Sequence, residues 1–353
     1  MADTRNTTQV PAGVQHEVPD AAIAWWLTGP GQGEFRAEPL PSPAEAEATV
    51  RTLWTGVSRG TETIVARGEV PASERDRMRA PFQGGDFPFP VKYGYLNVGE
   101  VEDGPEGLRG RTVFGLLPHQ SRSVVPAALL QPLPPDVPAR RAVLAGAVET
   151  AVNVLWDARP MIGDHVVVMG AGMIGCAIGR LAQGMPGVAV TVVDVDPARA
   201  QTAATLGLQF ATPDDPLTAD VVIEASGTAA GLQYALRSAP ADGEVVVASW
   251  YGSRAVPLEL GADFHARRLT IRSSQVGAVA PARRAARTTA ERLALALRLL
   301  ADPAYDALLG GTSSWRDLPE IAAALAEGTA DVLCHTIDWS DADTTPPEPK
   351  ETA

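Results

Sequence analysis

A glycine-rich turn between an apolar run and a helical segment constrains the fold of this chain more than any other feature. The run HVVVM ends just before residues 170–175, which read GAGMIG, and MIGCAIGRLAQ continues as a predicted helix. Gly170 permits a tight turn, Gly172 lets the backbone approach a ligand, and Gly175 lets the helix pack closely on the strand. This strand–turn–helix unit predicts a parallel sheet built from βαβ repeats.

The sequence pattern changes near Ala142. After it, apolar strand-like runs alternate with helical segments, which predicts a doubly wound parallel sheet covered on both faces. Before it, residues 21–135 contain short strand-like runs separated by turns rich in Gly and Pro; these runs are AAIAWWL, ATVRTLWTGV, LNVGEVE, RTVFGLL and SRSVVPA. They predict a compact, mostly β, barrel-like unit.

Domain boundaries follow from this change. We predict an α/β protein with a β-rich unit at 21–145, a doubly wound parallel-sheet unit at 146–276 and a return segment at 277–339. Polar segments at 1–20 and 340–353 are predicted to be flexible tails. The return segment contains two helical patterns and a final strand, which is too little for a separate domain. We therefore expect it to pack on the N-terminal unit.

Composition excludes several classes of function. The 353 residues include 42 acidic and 29 basic side chains, a net charge of −13, so nucleic acid and anionic membranes are not expected as partners. No apolar run approaches the roughly 20 residues of a membrane-spanning helix. The N-terminal segment lacks the basic and apolar regions of a signal peptide. Cys176 and Cys334 alone cannot complete a four-ligand zinc site. We expect a soluble, cytoplasmic protein.

The glycine turn and a later acidic residue predict a cofactor site. The helix that begins with Met173 and Ile174 offers unpaired N–H groups to a pyrophosphate. The next strand ends at Asp194, 19 residues after Gly175. A carboxylate there can accept both ribose hydroxyls and repels a 2′-phosphate, which favours NAD(H) over NADP(H). Arg199 either reaches toward the adenine, weakening that preference, or is an exposed helix arginine.

Two later strands end in loops that we expect to flank the nicotinamide, because ligands bind at the carboxyl ends of parallel strands. The first loop contains Ser226, and the second contains Trp250. Trp250 suits packing between domains equally well.

The arrangement of a β-rich unit, a dinucleotide unit and a C-terminal return resembles the medium-chain dehydrogenase/reductase superfamily over about residues 20–340. Its marks are GDHVVVMGAGMIG and VVDVDPARAQTAATLG. GVSRGTETIVARGEV, FPFPVKYGYLNVGEV and WYGSRAVPLELGADFHARRLTIRSSQVG resemble the zinc-type alcohol dehydrogenase-like, or bacteriochlorophyllide-dehydrogenase-like, subgroup. The resemblance implies a GroES-like catalytic domain beside a Rossmann domain, and an oxidoreductase activity.

This chain departs from the superfamily at the zinc ligands. Zinc-dependent members have a Gly-x-Cys-x-Thr-Asp-like segment where residues 56–62 read GVSRGTE. Tyr95 replaces the histidine of a Gly-His-Glu segment, and Gly146 stands at the third ligand position, with Thr150 retained four residues later. Because a catalytic zinc needs about three protein ligands, we predict no metal site.

Without a metal, a hydrogen-bond donor or general acid must stabilise charge on the substrate oxygen. The phenol of Tyr95 is one candidate, and Lys92 beside it would lower a tyrosine pKa. By the resemblance, Thr61 and Glu62 match the proton-relay position and its neighbouring acid. His119 is the remaining candidate in the N-terminal unit. Each of the five also suits a structural role.

These observations favour a zinc-independent, NAD(H)-dependent oxidoreductase that transfers hydride between the nicotinamide and a carbonyl/alcohol pair of a small or medium organic substrate. Two alternatives stay open: NAD(P)H-dependent reduction of an activated C=C bond of the enone or quinone type, and a non-catalytic dinucleotide-binding sensor. The segment VPLELGADFHARRLTIRSSQ places a strand at the edge of the sheet, which invites pairing with a second copy. We therefore expect a homodimer.

Overall fold

The computed structural model describes residues 21–330 and 333–342. The predicted tails lie outside these described residues, apart from residues 340–342. The N-terminal strands are β1 (Ala21–Gly29), β2 (Gln32–Pro39), β3 (Glu47–Ser58), β4 (Gly84–Gly85), β5 (Val91–Lys92), β6 (Asn97–Asp103), β7 (Thr112–Gly115), β8 (Arg122–Pro126) and β9 (Gln131–Pro132). The helices of this part are α1 (Thr61–Ala66), α2 (Ala139–Ala142) and α3 (Ala145–Ala158), which leads into the next unit.

The second unit is a six-stranded parallel sheet with helices between its strands. Its strands are β10 (His165–Met169), β11 (Ala189–Val193), β12 (Gln209–Ala211), β13 (Val221–Glu224), β14 (Glu244–Val247) and β15 (Thr270–Ser273). Its helices are α4 (Met173–Gln183), α5 (Arg199–Thr205) and α6 (Ala229–Ser238). The strand order is β12-β11-β10-β13-β14-β15, so the direction of winding reverses between β10 and β13. Ligands of doubly wound sheets bind at that point.

The C-terminal part joins both units. Its elements are α7 (Thr289–Leu299), β16 (Leu309–Ser314), α8 (Leu318–Glu327) and β17 (Cys334–Asp338). β17 pairs antiparallel with β3, extending the sheet β16-β17-β3-β6-β7-β9, while β2-β1-β5-β4 forms a second sheet. α7 packs mainly on α3 and also contacts β9 of the N-terminal unit. The buried guanidinium of Arg292 on α7 binds Glu149 and Asn153 of α3.

The apolar runs read from the sequence form strands or helices as predicted, and the fold class is α/β with a β-rich unit beside a doubly wound parallel sheet. β15 stands at the edge of its sheet. One apolar core runs from Leu96 of the N-terminal unit through Val148 of α3 to Val168 of the parallel sheet. Across residues 21–330 and 333–342, no helix has the length and apolarity needed to cross a membrane.

Candidate active site

The glycine turn forms an open cradle at the carboxyl end of β10. Gly170 has φ +102°, and a Cβ there would lie 2.7 Å from the backbone of Ala225, so only glycine fits. A Cβ on Gly175 would lie 1.9 Å from the carbonyl oxygen of Gly170. In contrast, a Cβ on Gly172 would meet no atom within 4 Å. The backbone at Gly172 therefore faces open space, as a site that accepts a pyrophosphate requires.

Helix α4 begins directly at this cradle. Gly172 is its N-cap and provides no side-chain cap, so the first N–H groups of the helix are available to an anion. Met173 is buried and Ile174 half-buried, which anchors the helix on the sheet. The structure thus brings the glycines and these two residues together as predicted for a dinucleotide fold.

Asp194 follows β11 and is fixed against the same turn. Its Oδ2 accepts a hydrogen bond from the Ala171 N–H at 2.8 Å, and its Oδ1 accepts one from the Asp196 N–H at 3.0 Å. A carboxylate has about four acceptor positions, so two remain for ribose hydroxyls. Arg199 forms an ion pair with Asp196, Nε to Oδ2, at 3.2 Å. That pair partly offsets the positive charge that could attract a 2′-phosphate.

The three altered zinc-ligand positions meet around Tyr95. A Cβ on Gly146 would lie 3.9 Å from Tyr95 Cδ2. Burial raises the pKa of Tyr95 to about 12, and the charge of Glu62 adds to this, while hydrogen bonds from the Ser58 and Thr61 side chains oppose it. Tyr95 is therefore a neutral phenol near pH 7. The side chains of Ser58 and Thr61 are its hydrogen-bonding neighbours, and a phenol can both donate and accept.

A buried hydrogen-bonded chain lies behind this tyrosine. Glu62 Oε1 accepts from the Ser58 N–H at 2.8 Å, and Glu62 Oε2 lies 3.0 Å from His119 Nε2. His119 Nδ1 lies 2.7 Å from Thr55 Oγ1, which also accepts from Trp339 Nε1 at 3.0 Å. A carboxylate can only accept, so His119 Nε2 donates to Glu62. All five residues are buried.

Lys92 does not belong to this group, and the expectation that it lowers the tyrosine pKa is wrong. Its Nζ binds Glu38 Oε2 at 2.5 Å on β2, which lies one strand beyond β1 in the same sheet. The pKa of Tyr95 is raised, because burial outweighs its hydrogen bonds. Thr150 does lie near the group: its Oγ1 donates to the carbonyl of Gly146 at 2.8 Å.

The loops after β13 and β14 are held by one buried carboxylate. Glu224 Oε1 accepts from the Ser226 N–H and Oγ–H, both at 2.6 Å, and from the Gly227 N–H at 3.0 Å. Glu224 Oε2 accepts from the Tyr251 hydroxyl at 2.8 Å. The hydroxyl of Ser226 is thus engaged with Glu224. Trp250 packs on the apolar cluster of the N-terminal unit, so this loop also joins the two units.

Several residues of the site were not found from the sequence. Glu224 could have been identified from the sequence, because a carboxylate at the end of the apolar run DVVIE must find hydrogen-bond partners when it is buried. No sequence pattern identifies Thr55 and Trp339. They are 284 residues apart and meet only because β17 pairs with β3.

The donor set at this site does not suit zinc. The three positions hold hydroxyl groups, a phenol and a glycine, where zinc prefers thiolate, imidazole or carboxylate. Within the described residues, no cluster of three or more His, Cys, Asp or Glu side chains is arranged to hold a metal ion.

Comparisons with known proteins agree with this architecture. No family model matches the chain. D-guloside 3-dehydrogenase of Shigella flexneri is 27% identical over 251 residues, which cover 62% of this chain and 71% of that protein. A Sinorhizobium meliloti protein classed as a zinc-binding dehydrogenase, solved with NADP, superposes with a TM-score of 0.72 at 18% identity, covering 91% of this chain and all of that one.

A second structure, an Escherichia coli CFT073 alcohol dehydrogenase complexed with NADH, gives a TM-score of 0.71 at 17% identity and covers 91% of this chain and all of its own. The chain is thus similar to dehydrogenases and shares the fold of these solved structures. Two of the solved neighbours hold a nicotinamide dinucleotide, NADP in one and NADH in the other.

Proposed function

We propose that this chain is a zinc-independent, NAD(H)-dependent oxidoreductase acting on a carbonyl/alcohol pair of a small or medium organic molecule. The observation that carries the proposal is the neutral Tyr95 phenol, which stands where zinc-dependent members hold their metal. Hydrogen bonds with the Ser58 and Thr61 side chains hold this phenol, which would donate its proton to a substrate oxygen. The dinucleotide-binding sensor gives no reason for such a preorganised donor.

The cofactor would be held by residues on the carboxyl edge of the parallel sheet. The backbone around Gly172 and the first turn of α4 suit the pyrophosphate, and Asp194 suits the adenosine ribose. When bound, the nicotinamide supplies or takes up the hydride of the reaction. We assign NAD(H) rather than NADP(H) because the Asp194 carboxylate would repel a 2′-phosphate.

The side chains around Tyr95 would handle the proton. In the reducing direction the carbonyl carbon gains the hydride, and its oxygen takes a proton from Tyr95, giving the alcohol. An alkoxide is a stronger base than a tyrosinate, so this transfer is favourable even with the pKa of Tyr95 raised to about 12. Hydrogen bonds from Ser58 and Thr61 stabilise the tyrosinate until water returns the proton. Glu62 and His119 fix the Ser58–Thr61 turn from behind.

Substrate and assembly complete the proposal. The relative named D-guloside 3-dehydrogenase favours a secondary alcohol of a glycoside or related polyol as the substrate, and a carbonyl/alcohol pair over a C=C bond.

We propose a homodimer joined at the edge strand β15, because an uncovered edge strand pairs readily with a second copy. We also propose a cytoplasmic location, as expected from the composition.

Screening glycosides, polyols and ketones with wild type, and then comparing variants on any active compound, tests the proposal. Tyr95→Phe removes the donor and should lower kcat about 100-fold. Tyr305→Phe is the matched control, because that buried hydroxyl has no hydrogen-bond partner within the described residues and lies away from the site. Wild-type kcat in Tyr95→Phe would contradict the role of the phenol. Turnover of enones alone would contradict the proposed reaction.

A further inference from the structure

Glu224 is a buried carboxylate on the half of the sheet that would receive the nicotinamide. It has no exposed surface, although it ends an apolar strand. We propose that Glu224 is a positioning residue that holds the two nicotinamide-side loops, and that its negative charge makes the protein favour NAD⁺ over NADH. This inference rests on the proposed function, because it requires that the chain bind NAD(H).

All hydrogen-bond donors to the Glu224 carboxylate are uncharged groups. Its four donors are the Ser226 N–H and hydroxyl, the Gly227 N–H and the Tyr251 hydroxyl, all of which are neutral. These bonds stabilise a carboxylate without cancelling its charge. Among the described residues, no Lys, Arg or His forms a salt bridge with Glu224. Such a charge in a low-dielectric interior acts over a long range.

The nearest cation shown beside this loop is Arg254. Its Nη2 lies 3.9 Å from the position that a Cβ on Gly227 would occupy, and its Nε donates to the carbonyl of Tyr251 at 3.1 Å. Arg254 is exposed, so water and salt screen its charge more strongly than that of Glu224. Arg254 should therefore offset only part of the charge of Glu224.

The position of Glu224 follows from strand register. It pairs with Met169, the last residue of β10, and the next residue, Ala225, touches Gly170 of the cradle. Asp194 assigns the β10–β12 half of the sheet to adenosine. The half that starts with β13 is left for the nicotinamide, since each half of a doubly wound sheet takes one mononucleotide. A nicotinamide bound on this half would therefore lie on the same half of the sheet as Glu224, and its ring is positively charged only when oxidised.

The test is the ratio of the dissociation constants for NAD⁺ and NADH, which requires no substrate. Glu224→Gln keeps the size of the side chain and removes its charge, so it should weaken NAD⁺ relative to NADH roughly tenfold, the effect of a unit charge about 10 Å away at an effective dielectric of about 20. Tyr251→Phe removes one hydrogen bond and keeps the charge. It should leave the ratio at its wild-type value even if both affinities fall.

An equal loss of both affinities in Glu224→Gln would overturn the electrostatic role and leave only a structural one. A second variant keeps the test available if Glu224→Gln does not fold. Ser249→Asp retains an acceptor for the Gly227 N–H, which now binds Ser249 Oγ at 2.8 Å, and adds a negative charge at the same loop. It should shift the ratio toward NAD⁺, and an unchanged ratio would count against the inference. Wild type that binds neither form would overturn the proposed function itself.

Discussion

At the residue scale, the chemistry proposed for this site depends on Tyr95. Tyr95 brings a phenol to a place where zinc-dependent members of the superfamily have a histidine, and Gly146 removes a ligand beside it. In the proposed function, the phenol of Tyr95 and its hydroxyl neighbours, with Glu62 and His119 behind them, take over the role of a metal. Tyr95, Glu62 and His119 could be chosen from the sequence because they stand in recognisable segments. Their mutual distances could not, because α1, the segment before β6 and the segment before β8 come together only in the folded chain.

Substituting two glycines of the turn tests whether the pyrophosphate of the cofactor binds there. Gly172→Ala adds a methyl group into open space at φ −79°, a backbone that alanine adopts readily. We expect its free energy of unfolding to stay within about 0.5 kcal/mol of wild type, while NADH affinity falls about tenfold because the methyl group occupies the pyrophosphate cradle. Urea unfolding and fluorescence titration measure the two quantities.

Gly175→Ala is the matched comparison for that variant. Its methyl group would lie 1.9 Å from the carbonyl oxygen of Gly170, so we expect the free energy of unfolding to fall by about 3 kcal/mol. A Gly172→Ala protein with unchanged NADH affinity would show that the pyrophosphate does not lie at this turn.

At the scale of elements, the sequence predicts those strands whose burial is continuous. The segments HVVVM and AVTVV are predicted to be buried parallel strands because their apolar residues form nearly continuous runs. β2 and β16, with sequences QGEFRAEP and LGGTSS, were missed because each stands at the edge of its sheet and has polar or glycine residues throughout. The position of α7 also depends on a tertiary contact, the ion pair of Arg292 with Glu149.

That ion pair makes an element-scale prediction. Arg292 is 1% exposed, and its Nε lies 3.1 Å from Glu149 Oε1. Arg292→Met leaves Glu149 as a buried carboxylate without its cation, which should lower the free energy of unfolding by about 3–5 kcal/mol. Arg292→Met combined with Glu149→Gln should recover most of this loss, because no buried charge remains. Urea unfolding of the single and the double variant measures the loss and its recovery.

The loss should depend on pH with a defined sign. Burial raises the pKa of Glu149 already in wild type, where Arg292 opposes the shift, and removing Arg292 raises it further. A group with a raised folded-state pKa contributes stability at low pH and loses it as pH rises through that pKa. Arg292→Met should therefore be less destabilised at pH 5 than at pH 8. An equal loss at both values would show that Glu149 is not the group responsible.

At the scale of the whole molecule, the site lies where the two units meet. The N–H of Ser253, beyond β14, donates to the carbonyl of Glu69 at 3.0 Å, and a Cβ on Gly252 would lie 3.1 Å from Ile64 Cγ2 beside α1. These contacts hold the nicotinamide-side loop of the parallel sheet against the unit that carries Tyr95. In the proposed reaction, the hydride would come from the side of the parallel sheet and the proton from the unit that carries Tyr95. Neither unit contains the whole site.

The most direct test of this account is the affinity of metal-analysed protein for NADH and NADPH, measured side by side by quenching of tryptophan fluorescence. We expect NADH to bind at least about tenfold more tightly than NADPH because of Asp194, with no stoichiometric zinc. A preference for NADPH would contradict the assignment of the cofactor and bring forward the reduction of activated C=C bonds. One zinc per chain would contradict the role assigned to Tyr95.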